Sequence, residues 1–213
     1  MTYPGYRNAL DRGSSDFDIR HTLTASLQYR LPAPASNHSL HPLLNNWIVG
    51  ATLQARTGFP FDVTTIDRSV GLGFDNTGRP DLIVGVPLWI ANDKVPGGRQ
   101  LNPAAFRTPT NAVSGTLGRN VLTGPGLFQI DANIRRQWRL CRGSLLEATV
   151  AAFNAPNRVS FANPVSYTGS ALFGQPVSMT NFMLGSGTPT TGQTPLFQAG
   201  GARTVELSLK LSF

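Results

Sequence analysis

This chain of 213 residues is predicted to be all-β: an antiparallel transmembrane β-barrel segment of about five strands with two long extracellular loops, incomplete as a closed barrel. Three observations predict it. Apolar and polar residues alternate with a period of two over segments long enough to cross a bilayer. Short and very long connections alternate between those segments. The last of them, residues 203–213, closes on Phe213.

Composition agrees. Only 14% of the residues are charged, while Gly (22) and Pro (16) are abundant, which suits strands joined by long irregular loops. The longest nearly apolar stretch, residues 82–91, is about half of what a spanning helix needs and contains Pro87. No transmembrane helix is expected.

Residues 17–31 place Phe17, Ile19, His21, Leu23, Ala25, Leu27, Tyr29 and Leu31 on one face, with Asp18, Arg20, Thr22, Thr24, Ser26, Gln28 and Arg30 on the other. Such a strand is long for a globular sheet but suits a tilted barrel strand, for which about 9 to 11 residues span the bilayer. Residues 46–59 form a second strand, with Trp47, Val49, Ala51, Leu53 and Ala55 opposite Thr52, Gln54 and Arg56. A third, residues 127–140, sets Phe128, Ile130, Ala132, Ile134, Trp138 and Leu140 against Gln129, Asp131, Asn133, Arg135, Gln137 and Arg139. Arg136 is the one charge on its apolar face, near the strand end, where a long side chain can reach the interface.

Cys141, Arg142 and Gly143 make a tight turn into a fourth strand, residues 144–154. Leu146, Ala148, Val150 and Ala152 oppose Glu147, Thr149 and Ala151 there, and Phe153 falls on the polar face unless a bulge flips it. The fifth strand alternates Val205, Leu207, Leu209, Leu211 and Phe213 with Thr204, Glu206, Ser208, Lys210 and Ser212.

Two long connections, residues 60–126 and 155–202, separate these strands. If Phe213 is periplasmic, the connections read backward as long, short, long, short, so both long loops emerge on the outer side. Aromatic residues fit this orientation. Tyr29, Trp47, Trp138 and Phe213 form a periplasmic girdle, and Phe17, Phe59 and Phe128 an outer one. At about 3.3 Å per residue and a tilt near 40°, the spacing projects to roughly 25 to 30 Å.

Five strands cannot close a spanning barrel, and an open edge in lipid leaves backbone groups unsatisfied. Partner strands are therefore expected, most simply from an upstream portion of the same polypeptide. Residues 1–18 carry no apolar signal core before Asp11, Asp16 and Asp18. Either the chain is not exported or its export signal lies on preceding sequence.

The residues resemble those of a known family. Asp16-Phe17-Asp18-Ile19-Arg20-His21 comes first, then Asn46-Trp47-Ile48-Val49-Gly50, Arg56-Thr57-Gly58-Phe59-Pro60-Phe61 and Arg79-Pro80-Asp81-Leu82. Leu101-Asn102-Pro103-Ala104-Ala105-Phe106, Gly118-Arg119-Asn120, Gly124-Pro125-Gly126 and Asp131 follow. The set ends with Ala152-Phe153-Asn154, Asn157, Phe161-Ala162-Asn163-Pro164 and Leu209-Lys210-Leu211-Ser212-Phe213.

This ordered set, spanning nearly the whole chain, resembles the C-terminal β-barrel region of Oar-like TonB-dependent outer-membrane receptors, which also carry a carboxypeptidase-regulatory-like domain. The resemblance implies the cell outer membrane as location and a role in uptake of an unidentified ligand. It implies as partners the outer-membrane lipid, upstream barrel strands and a plug, the TonB complex acting through that plug, and the barrel-assembly machinery. The last is associated with a terminal aromatic, here Phe213. The family's signal sequence, regulatory-like domain and plug have no counterpart in these residues. Two alternatives are a surface-exposed structural or adhesive barrel without transport and a soluble β-sandwich binding module.

The wet faces would line the lumen. Arg20, Arg30, Arg56, Arg135, Arg139 and Lys210 stand with Asp18, Asp131, Glu147 and Glu206, and a salt-bridge and hydrogen-bond lattice between strands is preferred over a substrate path. No catalysis and no cofactor are expected. The eleven acidic residues are scattered singly, and no Ser/His/Asp arrangement stands out.

The net charge of +7 comes from scattered residues, the densest cluster being Arg135, Arg136, Arg139 and Arg142, so nucleic acid is not an expected partner. Cys141, the single cysteine, excludes an intrachain disulfide and a CxxC site. His38 and His41 are read as turn residues and His21 as a neutral apolar-face imidazole. Gly71-Leu72-Gly73 and residues 115–126 lack a phosphate-loop arrangement, and Asp75-Asn76-Thr77-Gly78 misses calcium-loop spacing.

Overall fold

The computed structural model describes residues 8–32, 45–67, 76–110, 115–140, 143–182 and 199–213. His38, His41, Gly71, Leu72, Gly73, Asp75, Cys141 and Arg142 lie outside them. In chain order, a one-turn helix Asn8–Asp11 precedes β1 (Thr22–Arg30) and β2 (Trp47–Arg56). Eight short strands follow: β3 (Pro60–Phe61), β4 (Thr65–Asp67), β5 (Asn76–Gly78), β6 (Asp81–Leu82), β7 (Trp89–Ala91), β8 (Arg99–Leu101), β9 (Phe106–Arg107) and β10 (Leu122–Thr123). β11 (Leu127–Arg139), β12 (Leu145–Phe153) and β13 (Thr204–Ser212) complete the series.

The fold is all-β and antiparallel. The five long strands form one open sheet in the order β1-β2-β11-β12-β13, and the chain divides into two compact units. The first is this sheet, built from His21–Arg56, Leu127–Val159 and Ala199–Phe213. The second comprises Met1–Arg20, Thr57–Gly126 and Ser160–Gln198.

The predicted alternation survives into the register. Tyr29 lies opposite Val49, Val49 opposite Ile134, Ile134 opposite Val150 and Val150 opposite Leu207. One residue along, the opposite face reads Arg30, Ile48, Arg135, Thr149 and Ser208. β12 runs without a bulge, so Phe153 does stand on the polar face, opposite Thr204. Leu140 donates its N–H to the Ser144 carbonyl at 2.8 Å and Gly143 takes φ 82°, which closes the short hairpin between β11 and β12.

The first strand is shorter than its sequence pattern. It begins at Thr22, not at residue 17, because Ser15 and Asp18 close a local turn, with the Asp18 N–H donating to the Ser15 carbonyl at 2.9 Å. Turn chemistry of this kind competes with extension. β2 likewise stops at Arg56, three residues before the alternation ends. At Gly58 a Cβ would fall 2.0 Å from the Gly124 carbonyl oxygen, a backbone approach open only to glycine.

The long connections are folded rather than irregular. Among the described residues, the two-stranded ribbons β3 with β10, β4 with β5, β6 with β9 and β7 with β8 organise the second unit. Phe61, Val63, Leu101, Ala105, Phe106, Leu117, Leu122 and Phe173 form its core, with Leu82, Val86, Leu88 and Trp89 packed against it. The apolar stretch 82–91 thus serves this core. Asn102 orders its approach: its Oδ1 accepts from the Ala104 N–H at 3.1 Å and its Nδ2 donates to the Pro87 carbonyl at 2.9 Å.

Candidate functional site

The sheet's apolar face is its first functional surface. Leu27, Leu207 and Leu209 are 72%, 76% and 72% exposed, and Leu23, Val205 and Leu211 are exposed beside them. A contiguous apolar face of this breadth is costly in water and suited to lipid. No helix among the described residues is long and apolar enough to cross a membrane.

One end of this face carries the expected aromatic cluster. Tyr29 is the last residue but one of β1, Trp47 opens β2, Trp138 stands near the end of β11, and Phe213 follows β13 and is fully exposed. Arg136, buried on the apolar face, sits between the two indoles. Its guanidinium carbon lies 5.3 Å from the Trp47 ring centre and 4.8 Å from that of Trp138. The ring quadrupoles attract the cation and make its place on an apolar face tolerable.

The expected outer girdle is only partly present. Phe128 lies on β11, with the Arg158 guanidinium 5.1 Å from its ring centre. Phe17 stands in the turn before β1, outside the sheet. Phe59 is 4% exposed and packs against Ala162 and Ile19 in the second unit's smaller core. The residues that turn the chain after Arg56 take Phe59 away from lipid.

On the polar face, Arg30, Arg56, Asp131, Arg135, Arg139, Glu147, Glu206 and Lys210 lie on strands of the sheet. Arg20 does not; it precedes β1 and belongs to the second unit, as does Asp18. Glu147 and Lys210 face each other across β12 and β13, and Glu147 accepts from Gln137 Nε2 at 2.6 Å on its other side. Ser26 and Thr52 bond through their hydroxyls at 3.2 Å. Among the described residues, the ion pairs Arg79–Asp11, Arg107–Asp81 and Arg119–Asp16 lie in the second unit.

Two asparagine hubs are absent from the sequence-based reading of site residues. In the sheet unit, Asn154 is 2% exposed with φ 50°. Its N–H donates to Asp131 Oδ1 at 2.8 Å, and its Nδ2 donates to the Arg158 and Gly201 carbonyls at 2.9 and 2.7 Å. Asp131 Oδ1 also accepts from Gln129 Nε2 at 2.7 Å, while Gln129 Oε1 accepts from the Gly200 N–H at 2.6 Å. Asp131 is therefore a knot tying β11 to the β12 and β13 strand ends.

In the second unit, Asn120 is buried with φ 50°. Its N–H donates to Asp62, and its Nδ2 donates to the Ser14 carbonyl at 2.8 Å and to Asp16 Oδ1 at 2.6 Å. Arg79 adds an ion pair with Asp11 at 2.7 Å and a bond to the Leu10 carbonyl at 3.0 Å. The signal available in sequence was an asparagine at a turn, since Asn tolerates a left-handed backbone; its partners are not local.

Both long connections, residues 57–126 and 154–203, join strand ends on the same side of the ladder, the one bearing Arg56, Leu127, Phe153 and Thr204. The sheet's outer edges, β1 and β13, have no pairing partner among the described residues. Exposed apolar face, wet opposite face, one-sided long connections and open edges together describe a section of barrel wall.

No curated protein and no solved structure matches the chain. A family model for an outer membrane beta barrel domain matches residues 1–182. That match, which covers all of β1, β2, β11 and β12, and the geometry of the sheet agree: the chain belongs to the outer membrane beta barrel domain family and resides in the outer membrane.

Proposed function

We propose that this chain supplies barrel wall and a folded surface-loop unit to a TonB-dependent outer-membrane receptor that takes up an external ligand. The observation that carries this reading is the combination of an open five-stranded wall with a loop unit possessing its own hydrophobic core. A wall whose β1 and β13 have no pairing partner among the described residues needs further strands, because lipid cannot satisfy their backbone groups. Loops as large as these are costly to order unless they present a defined surface, and capture of a ligand is a use for one.

In this reading the chain binds and positions, and performs no catalysis. Its apolar face meets lipid, β1 and β13 pair with further strands of the same protein, and a plug fills the lumen lined by Arg30, Asp131, Arg135 and Glu147. The TonB complex acts through that plug, and the barrel-assembly machinery engages β13 and Phe213. The segments that resemble those of Oar-like receptors are in keeping with this reading, several of them being structural hubs: Arg79, Asn102, Asn120, Asp131 and Asn154.

The test is to express the intact protein and measure its capture by an immobilised TonB C-terminal domain, with and without the plug's TonB-contacting segment. Capture that depends on this segment is the expected result. An intact protein that folds in the outer membrane but has no plug and no affinity for TonB would turn the reading to a structural or adhesive barrel.

A further inference from the structure

The second unit contains a pocket that neither the barrel wall nor its hubs account for. Its volume is about 140 Å³, and Trp89, Phe161, Pro125, Pro164 and Pro176 form its apolar lining, with Arg99 beside them. We propose that this pocket binds a small carboxylate carried on a flat ring, of about the size of benzoate.

The walls are preorganised. Trp89 packs edge-on against the core residue Phe61, with ring centres 6.4 Å apart. Phe161 is held through its backbone: it bridges to Met179, and its carbonyl accepts from Thr180 Oγ1 at 3.0 Å. The Gly124 N–H donates to the Phe59 carbonyl at 2.9 Å and fixes the third wall. Rings and prolines have few internal rotations, so a planar guest meets surfaces that lose little freedom on binding.

Space is preserved by glycine. Gly97 takes φ 81°, and a Cβ there would come within 3.0 Å of the Phe161 ring. A cavity of about 150 Å³ with apolar walls admits a benzene ring, which sets the size class of the guest.

Charge sets its sign. Arg99 and Trp89 are diagonal neighbours on the β7–β8 ribbon, and the Arg99 guanidinium carbon stands 4.3 Å from the Trp89 ring centre. None of the residues lining the pocket is acidic. Among the described residues, the ion pairs involve Arg79, Arg107 and Arg119, and none involves Arg99. The guanidinium keeps its donors for a bidentate carboxylate while its face rests on the indole.

The site does not depend on the transport reading, since binding is measured directly. The protein, folded in detergent micelles, is titrated with benzoate and with benzamide, its uncharged counterpart, by ligand-observed NMR. Benzoate is expected to saturate and to bind at least about tenfold more tightly than benzamide. Arg99→Gln should abolish that preference, and Thr123→Trp, which fills the pocket while leaving Arg99 in place, should remove binding of both. Absence of saturable benzoate binding, equal affinity for the two probes, or an undiminished preference in Arg99→Gln each overturns the proposal. The comparison of probes on the unmodified protein decides the matter even if a variant fails to fold.

Discussion

The carboxylate of Asp131 on β11 accepts the backbone N–H of Asn154 at 2.8 Å, just beyond the end of β12. Asn154 in turn reaches forward to the Gly201 carbonyl, close to the start of β13. One polar pair therefore fastens three consecutive strands at the end where a long connection leaves the sheet. Substituting Asp131→Ala strands the Asn154 N–H and should cost about 1–3 kcal/mol. Asn154→Ala should cost about 1 kcal/mol more than Asn154→Gly, because only glycine tolerates φ 50° without a Cβ penalty. Equilibrium unfolding of the three variants in urea checks the order.

Arg136 and Trp138 make the second test. Arg136→Met keeps the stem that packs on the sheet and removes the charge. A double-mutant cycle with Trp138→Leu should return a coupling of about 0.5–2 kcal/mol. A coupling of zero would mean that the cation does not use the indole face.

The assignment of faces can be tested at adjacent positions of β13. Leu207 is 76% exposed on the apolar face and Ser208 lies opposite Thr149 on the other. Leu207→Arg places a charge in lipid and should destabilise the inserted protein by about 2–4 kcal/mol. Ser208→Arg should stay within about 0.5 kcal/mol. The folded fraction after reconstitution into lipid vesicles reports both.

Gly58 governs the departure of the chain from β2. A Cβ at this position meets the Gly124 carbonyl oxygen, and neither backbone can give way easily. Gly58→Ala should cost about 1–3 kcal/mol and accelerate proteolytic cleavage within residues 57–126, as read by mass spectrometry of the fragments. Phe59→Ala, which empties a buried site beside Ala162, should do the same and cost about 3–5 kcal/mol. If Phe59 faced lipid instead, its removal would leave the cleavage pattern unchanged.

The sequence by itself determined the five-stranded sheet, because a period of two over nine or more residues admits only a strand with unlike faces. Leu27, Val49, Ile134, Val150 and Leu207 could be assigned to one face from their own neighbours, and the register keeps that assignment. The same local rule overran at Phe17 and Phe59. Alternation persists there by coincidence, while Ser15 and Gly58 terminate the strands through contacts the pattern does not contain.

Only the tertiary structure decided the rest. The loop core joins Phe61, Leu101 and Leu122, on strands of two or three residues too short to carry a period, with Phe173 from a distant turn. The Asn120 and Asn154 hubs and the Arg99–Trp89 pocket arise in the same way, from side chains brought together by distant segments. Local sequence fixes which way a side chain points along a strand; closure of long loops fixes what it meets.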